Sequence, residues 1–69
     1  MEQRMNITLN GLPERVAVAT VADLIAWKAL PTRGVAIAVN GEVIRSATWP
    51  EALLAEGDVV DIVTAKQGG

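Results

Sequence analysis

Three acidic residues near the end of the 69-residue sequence are the first candidates for chemistry. Glu56, Asp58 and Asp61 lie within six residues of one another, and neighbouring carboxylates can act as a general acid and base or hold a cation. The sequence contains no His and no Cys, so neither an imidazole nor a thiolate accompanies them. We therefore predict no catalytic residue and no metal site, and interpret these carboxylates as solvated turn and strand charges.

Other residue types point away from catalysis and nucleotide binding. Ser46 and Thr48 have no imidazole to activate them, so we expect them to cap a short helical turn. Gly34, Gly41 and Gly57 are separated rather than gathered into a phosphate-binding loop. Six Lys and Arg against eight Asp and Glu give a formal charge of −2, which does not suit nucleic acid. The sequence thus predicts a protein that is not an enzyme and whose partners are basic proteins.

The last two residues, Gly68 and Gly69, offer the chemistry of a backbone carboxyl group. Two residues without Cβ can enter a channel too narrow for a side chain, and they deliver a carboxylate there. Transfer of that carboxylate to the α-phosphate of ATP would make an acyl-adenylate, which a sulfur nucleophile or an amine could attack. All catalytic groups could then belong to a partner. The alternative interpretation of the two glycines is a frayed terminus or a truncation.

Five segments of the chain have the pattern of β-strands. Met5, Ile7 and Leu9 alternate with polar residues, and Asn10-Gly11 and Asn40-Gly41 are signals for tight hairpin turns. The predicted strands cover residues 5–9, 16–18, 35–39, 42–45 and 59–63.

One helix and one short helical turn complete the pattern. Thr20 followed by Asp23 is typical of a helix N-cap, so the helix is predicted to begin at Val21. Its buried stripe is predicted to hold Val21, Leu24, Ile25 and the stem of Lys28. The sequence Trp49-Pro50-Glu51 suits a single helical turn.

This order of elements predicts the fold class. A sheet with one apolar face needs a cover, and the helix supplies it, giving a two-layer α+β roll. A right-handed crossover places a later strand parallel to the first, so we predict a mixed sheet of the β-grasp type. The single domain is predicted to cover residues 1–63 and a flexible tail residues 64–69. No apolar run approaches the ~18 residues that span a membrane, so we expect no membrane contact and a cytoplasmic location.

The parity of the strand residues predicts a docking surface. Asp61 is expected to face water, so its neighbours Val60 and Ile62 should face the helix, and Val59 and Val63 should face outward with it. By the same argument Ala36 and Ala38 lie on the open side of the sheet. We predict that Ala36, Ala38, Asp61 and Val63 form a shallow docking patch near the root of the tail. The alternative is the ordinary scatter of apolar atoms over the surface of a small domain.

Four parts of the sequence resemble the ThiS family, the ubiquitin-like sulfur carriers of thiamine biosynthesis. They are the run Val35 to Ile44 around Asn40-Gly41, then Trp49, then Glu56 to Val63, and the final Gly68-Gly69. The likeness spans nearly the whole chain and is weakest in the N-terminal hairpin.

This resemblance implies a reaction sequence and a set of partners. It implies that Gly69 is adenylated by an E1-like ATP-dependent enzyme and converted to a thiocarboxylate with the help of a sulfur-donating enzyme. Thiazole synthase would then use that sulfur. Gly68, Gln67 and Lys66 would enter the partners' active sites, and ATP would be bound by the partner, with no cofactor bound by this chain.

Four other interpretations stay open. The small subunit of molybdopterin synthase belongs to a sister family, although this sequence has no Phe and is shorter. The carrier could also serve another sulfur pathway or be a protein modifier. A β-grasp domain that binds partners without covalent chemistry is the alternative from another class.

Overall fold

The computed structural model describes residues 4–31 and 33–64. These residues form a five-stranded sheet, one α-helix and one 3₁₀ turn. In chain order the elements are β1 (Met5–Leu9), β2 (Leu12–Val16), α1 (Val21–Trp27), β3 (Val35–Val39), β4 (Glu42–Ile44), the 3₁₀ turn (Ser46–Thr48) and β5 (Val59–Thr64).

The sheet has the mixed topology that the sequence predicts. Its strand order is β2-β1-β5-β3-β4. The β1–β5 pair is parallel, whereas β1–β2, β3–β4 and β3–β5 are antiparallel. The last strand therefore lies in the middle of the sheet, between the first strands of the two hairpins. This arrangement, with one helix against one face, confirms the β-grasp prediction.

Both hairpins turn at an Asn-Gly pair, as predicted. Asn10 and Gly11 have φ of 51° and 82°, and Asn40 and Gly41 have φ of 52° and 85°. Two consecutive positive φ angles are those of a type I′ turn, whose twist matches that of the strands it joins. Each turn therefore fixes the register of its hairpin, with Leu9 opposite Leu12 in one and Val39 opposite Glu42 in the other.

The helix begins as the sequence predicts. The Thr20 side chain accepts a hydrogen bond from the backbone N–H of Asp23 (3.1 Å), and the Asp23 carboxylate accepts one from the N–H of Thr20 (3.3 Å). This reciprocal pair is a capping box, which satisfies backbone donors that have no partner inside the helix.

The helix ends earlier than its apolar stripe suggests. Ala29 has φ of 56°, the N–H of Leu30 donates to the carbonyl of Ile25, and the N–H of Ala29 donates to that of Ala26. These two bonds form a Schellman motif, with Ala29 in the left-handed position that glycine usually takes. Lys28 therefore caps the helix and is exposed, so the prediction that its stem extends the buried stripe is wrong.

The core lies between the sheet and the helix. Val21, Leu24 and Ile25 of α1 are buried, as predicted, together with Trp49. The Trp49 indole N–H donates to the carbonyl of Ile44 (3.0 Å), so the ring is buried without an unpaired polar atom. The remaining buried side chains are Ile7, Leu9, Val16, Ile37, Leu54 and Val60.

Three local predictions differ from the structure. β2 covers Leu12–Val16 and shares only Val16 with the predicted strand 16–18, because pairing begins directly after the two-residue turn with Leu12 opposite Leu9. β5 extends one residue further than predicted, to Thr64. The 3₁₀ turn begins at Ser46, and its N-cap residue, Arg45, makes no side-chain capping bond. The prediction that Ser46 or Thr48 caps this turn is therefore wrong, because the turn begins too early in the sequence for either hydroxyl to cap it.

Candidate functional site

The side of the sheet that α1 does not cover is the candidate functional surface. Along β5, Val60 is fully buried against the helix side and Ile62 is partly buried. Val59, Asp61 and Val63 alternate with them and are exposed. This alternation confirms the predicted parity of β5, and it directs one carboxylate and two apolar side chains outward from the central strand.

The register between β3 and β5 brings the four predicted docking residues together. Ala36 lies directly opposite Val63, and Ala38 lies directly opposite Asp61. Side chains opposite one another on the same face of an antiparallel pair are close neighbours. The four residues are thus adjacent on the open face, as predicted from parity; their docking role stays a prediction.

Two valines enlarge this apolar surface and are absent from the predicted set. Val43 of β4 is opposite Ala38 and is 70% exposed, and Val59 of β5 is 42% exposed. The signal for Val43 lies in its hairpin: a two-residue turn at Asn40-Gly41 pairs Val39 with Glu42, which places Val43 opposite Ala38. We call this surface the open-face patch; it consists of Ala36, Ala38, Val43, Val59, Asp61 and Val63.

The other half of the open face is more polar. There Asn6 is opposite Arg15, and Thr8 is opposite Pro13. The Asn6 side chain donates to Glu56 (2.9 Å), so it is engaged within the molecule. The apolar part of the face is therefore confined to the half formed by β5, β3 and β4.

One edge of the patch borders the point where the described chain stops. Gly34, Val35, Ala36 and Val63 line a shallow depression, and Val35 is opposite Thr64, the last described residue. Four of the predicted site residues follow Thr64 in the sequence and lie outside the described residues: Lys66, Gln67, Gly68 and Gly69.

The carboxylates of Glu56 and Asp58 hold the turn before β5. Glu56 accepts hydrogen bonds from the backbone N–H and the side chain of Asn6 (3.0 and 2.9 Å), which lowers the pKa of this exposed carboxyl below its ordinary value of 4.5. Asp58 accepts from the backbone N–H of Ala55 (2.8 Å) and from the side chain of Asn40 (3.0 Å). Both groups thus have structural partners, in agreement with the interpretation of these residues as turn charges.

Asp61 differs from those two carboxylates. Its side chain is exposed at the centre of the open-face patch, and within residues 4–31 and 33–64 no hydrogen-bond donor or cation pairs with it. Across the same residues, no group of three or more acidic, His or Cys side chains is arranged to hold a metal ion. The surface therefore presents exposed apolar side chains around one carboxylate that has no partner within the described residues.

Within residues 4–31 and 33–64, no helix has the length and apolar character needed to span a lipid bilayer.

The fold and the surface together define a class of protein, the ubiquitin-like β-grasp domains. Within that class, the sequence model of the ThiS family matches residues 4–69. The chain belongs to the ThiS family.

Individual relatives agree with this assignment. The chain is 32% identical over 63 residues to the sulfur carrier protein ThiS of Thermus thermophilus, a match that covers 91% of this chain and 98% of the relative. The crystal structure of the thiamine biosynthesis protein ThiS of Geobacter metallireducens superposes with a TM-score of 0.78 at 32% identity, covering 94% of this chain and all of that one. An NMR structure of a thiamine biosynthesis protein of Geobacter metallireducens gives a TM-score of 0.79 at 29% identity, with 94% and 88% covered.

Proposed function

We propose that this chain is a sulfur carrier for thiamine biosynthesis, and that the carboxyl group of Gly69 carries the sulfur. The observation that supports this proposal most is the match to the sulfur carrier protein ThiS along 91% of the chain, in a sequence that ends in Gly68-Gly69. The chain is then a protein cosubstrate rather than a catalyst, consistent with its lack of His and Cys.

The proposed chemistry needs two substitutions, the first at the α-phosphorus of ATP and the second at the carbonyl carbon of Gly69. An oxygen of the Gly69 carboxylate attacks the α-phosphorus of ATP on an E1-like enzyme, and pyrophosphate leaves. A sulfur nucleophile from a sulfur-donating enzyme then attacks the acyl carbon, and AMP leaves. A thiol then reduces the S–S bond that still joins this sulfur to a persulfide donor, forming a disulfide with the donor, and Gly69 ends in a thiocarboxylate, which thiazole synthase uses as its sulfur source. No side chain of the carrier takes part in these bond changes.

The role proposed for Gly68, Gln67 and Lys66 is to bring Gly69 into the partners' active sites. Five residues follow Thr64, and at ~3.4 Å per residue they reach at most about 17 Å. Each residue that a partner fixes in one conformation costs about 1–2 kcal/mol of backbone entropy. A segment with two glycines offers few side-chain contacts to offset that cost, so recognition requires a second surface within its reach.

The open-face patch is that second surface in our proposal. It borders Thr64, and it combines exposed apolar side chains with the carboxylate of Asp61. A partner with an apolar surface and a basic side chain facing Asp61 would complement it.

The loading reaction tests the proposal. The chain is incubated with an E1-like adenylating enzyme, ATP and a sulfur donor, and its intact mass is measured. We expect the mass gain that corresponds to exchange of one oxygen for sulfur. Deletion of Gly69 should abolish this gain without changing the melting temperature. An unchanged mass with an enzyme known to be active, or loading that survives loss of Gly69, would contradict the proposal and favour a non-covalent adaptor.

A matched pair of variants tests the docking surface. Val63 in the patch is 64% exposed, and Leu12 on the edge strand β2 is 63% exposed, away from the patch. We expect Val63→Asp to slow loading at limiting carrier concentration by about fivefold or more, since an interface contact of this kind is worth about 1 kcal/mol or more, and Leu12→Asp to leave the rate close to wild type. Equal effects of the two substitutions would show that the open-face patch has no part in recognition.

A further inference from the structure

The two Asn-Gly turns have a chemical property that is independent of the proposed function. In an Asn-Gly pair the backbone nitrogen of Gly can attack the side-chain carbonyl carbon of Asn, because Gly has no Cβ to obstruct the approach. Ammonia leaves and a five-membered succinimide forms; addition of one water then gives Asp or isoaspartate. Asn10 and Asn40 are both exposed, and both precede such a glycine.

The glycine on the second turn stands in open space. A Cβ added at Gly41 would have no heavy atom within 4 Å, and the same holds at Gly11, so the space beside each glycine is open. What restrains the reaction is the position of the Asn side chain, because its carbonyl carbon must leave its hydrogen-bond partners before it can reach that nitrogen.

The two side chains are restrained to different degrees by β5. Asn10 accepts one hydrogen bond, from the backbone N–H of Ile62 (2.7 Å). Asn40 accepts one from the N–H of Val59 (2.9 Å) and also donates one to the carboxylate of Asp58 (3.0 Å). Two side-chain bonds must break at Asn40, and one must break at Asn10. Deamidation is therefore slower at Asn40.

Deamidation is predicted to be faster at Asn10, but its structural effect is larger at Asn40. At position 10 the product Asp keeps an oxygen that accepts from Ile62, so the contact survives. At position 40 the NH₂ group that donates to Asp58 is replaced by oxygen. Two carboxylates then lie about 3 Å apart where a hydrogen bond existed, and like charges at this separation repel one another. Asp58 is also the residue that leads into β5 and accepts from Ala55 (2.8 Å).

From these contacts we propose that Asn40 is a deamidation site whose conversion to Asp releases the start of β5 from the β3–β4 turn, whereas conversion at Asn10 leaves the sheet intact. Asn40 and Asp58 form a latch that depends on an amide facing a carboxylate. Because β5 lies between β1 and β3, loss of this latch weakens the attachment of the central strand to one half of the sheet.

Variants that mimic the products test the consequence. Asn40→Asp should lower the melting temperature by about 5–10 °C, and Asn10→Asp should change it by much less. The double variant Asn40→Asp with Asp58→Asn restores one donor and one acceptor across the latch, and most of the loss should be recovered. Equal destabilisation by the two single variants, or no recovery in the double variant, would overturn the proposal.

Ageing of the wild-type chain tests the site itself. The folded protein is held in mildly alkaline buffer, and peptide mapping by mass spectrometry measures Asp and isoaspartate at both positions. We expect both to convert, with Asn10 ahead of Asn40, and the chains converted at position 40 to melt at lower temperature. Conversion of Asn40 at the same rate as Asn10 would contradict the latch, and no conversion at Asn40 after Asn10 is exhausted would contradict its assignment as a deamidation site. These measurements involve no partner enzyme, so their outcome is separate from that of the loading reaction.

Discussion

At the scale of single residues, polar side chains near the start of β5 stabilise the sheet through the backbone. Asn6 and Glu56 bridge positions fifty residues apart in the sequence, and Asn10 and Asn40 each accept a hydrogen bond from a β5 amide. These contacts supply partners where the regular ladder stops, and buried or partly covered amides need such partners.

The lowered pKa of Glu56 predicts a specific pH dependence. A carboxyl whose folded-state pKa is depressed contributes stability above its unfolded-state pKa, near 4.5, and that contribution is lost as the pH falls through the folded-state value. We therefore expect Glu56→Gln to lower stability at neutral pH and to match wild type in strong acid. Urea denaturation across this range measures the difference.

Glu42→Gln is the control for that experiment. Glu42 is an exposed carboxylate on the edge strand β4, and within the described residues its side chain has no hydrogen-bond partner. A Glu56→Gln deficit that stays constant from neutral to acid pH, or equals that of Glu42→Gln, would show that the bonds from Asn6 do not stabilise the charged form.

At the scale of elements, the end of α1 carries an unusual conformation. Ala29 has φ of 56°, and a Cβ in the left-handed region costs roughly 1 kcal/mol or more that glycine does not incur. The Schellman bonds from Ala29 and Leu30 hold it there. The element therefore contains a strained residue that neither the proposed chemistry nor the core requires.

Ala29→Gly is expected to stabilise the protein. Relief of the strained φ outweighs the extra freedom that glycine gives the unfolded chain, and the net gain should be about 0.5–1 kcal/mol. The control is Ala26→Gly, inside the helix, which should destabilise by a similar amount because glycine disfavours helix interiors. Chemical denaturation of both variants measures these changes. A loss of stability in Ala29→Gly would contradict the assignment of the helix end.

At the scale of the whole molecule, β5 joins two hairpins that do not otherwise pair. Its neighbours are β1 on one side and β3 on the other, whereas β2 and β4 form the edges. Val60, near the start of β5, has no exposed surface. The stability of the whole sheet thus depends on one strand.

Native-state hydrogen exchange should show that the central strands are more stable than the edge strands. Amides of β1, β3 and β5 that donate within the sheet should exchange only on global unfolding, because opening them separates the hairpins. Amides on β2 and β4 should exchange through smaller fluctuations. Slower exchange at β2 or β4 than at β5 would be inconsistent with a sheet organised around its last strand.

Much of this fold could be predicted from the sequence because its signals are local. The Asn-Gly turns, the Thr20–Asp23 cap and the alternation in β1 each depend on a few adjacent residues, and the handedness of the crossover then fixes the parallel pair. The end of α1 could not be predicted, because Ala29 adopts a conformation that alanine rarely takes. The exposure of Val43 required the register of the β3–β4 hairpin, which follows only once the turn type is known.

In the candidate site, too, some residues could be predicted from local sequence and others could not. Ala36, Ala38, Asp61 and Val63 could be placed on the open face from parity alone, since one outward charge on β5 fixes its neighbours. The latch between Asn40 and Asp58 joins residues eighteen positions apart, and nothing in the local sequence marks it. The chemistry proposed for Gly69 depends on partners, so no contact among the described residues bears on it.

The central position of β5 also bears on how the protein is made. A ribosome synthesises both hairpins and the helix before it reaches Val59, so the emerging chain has two pairs of strands with no common neighbour. The sheet can close only after Thr64 has left the exit tunnel. The domain therefore completes its fold only after most of its residues have been synthesised. A nascent chain stalled before β5 should remain sensitive to protease.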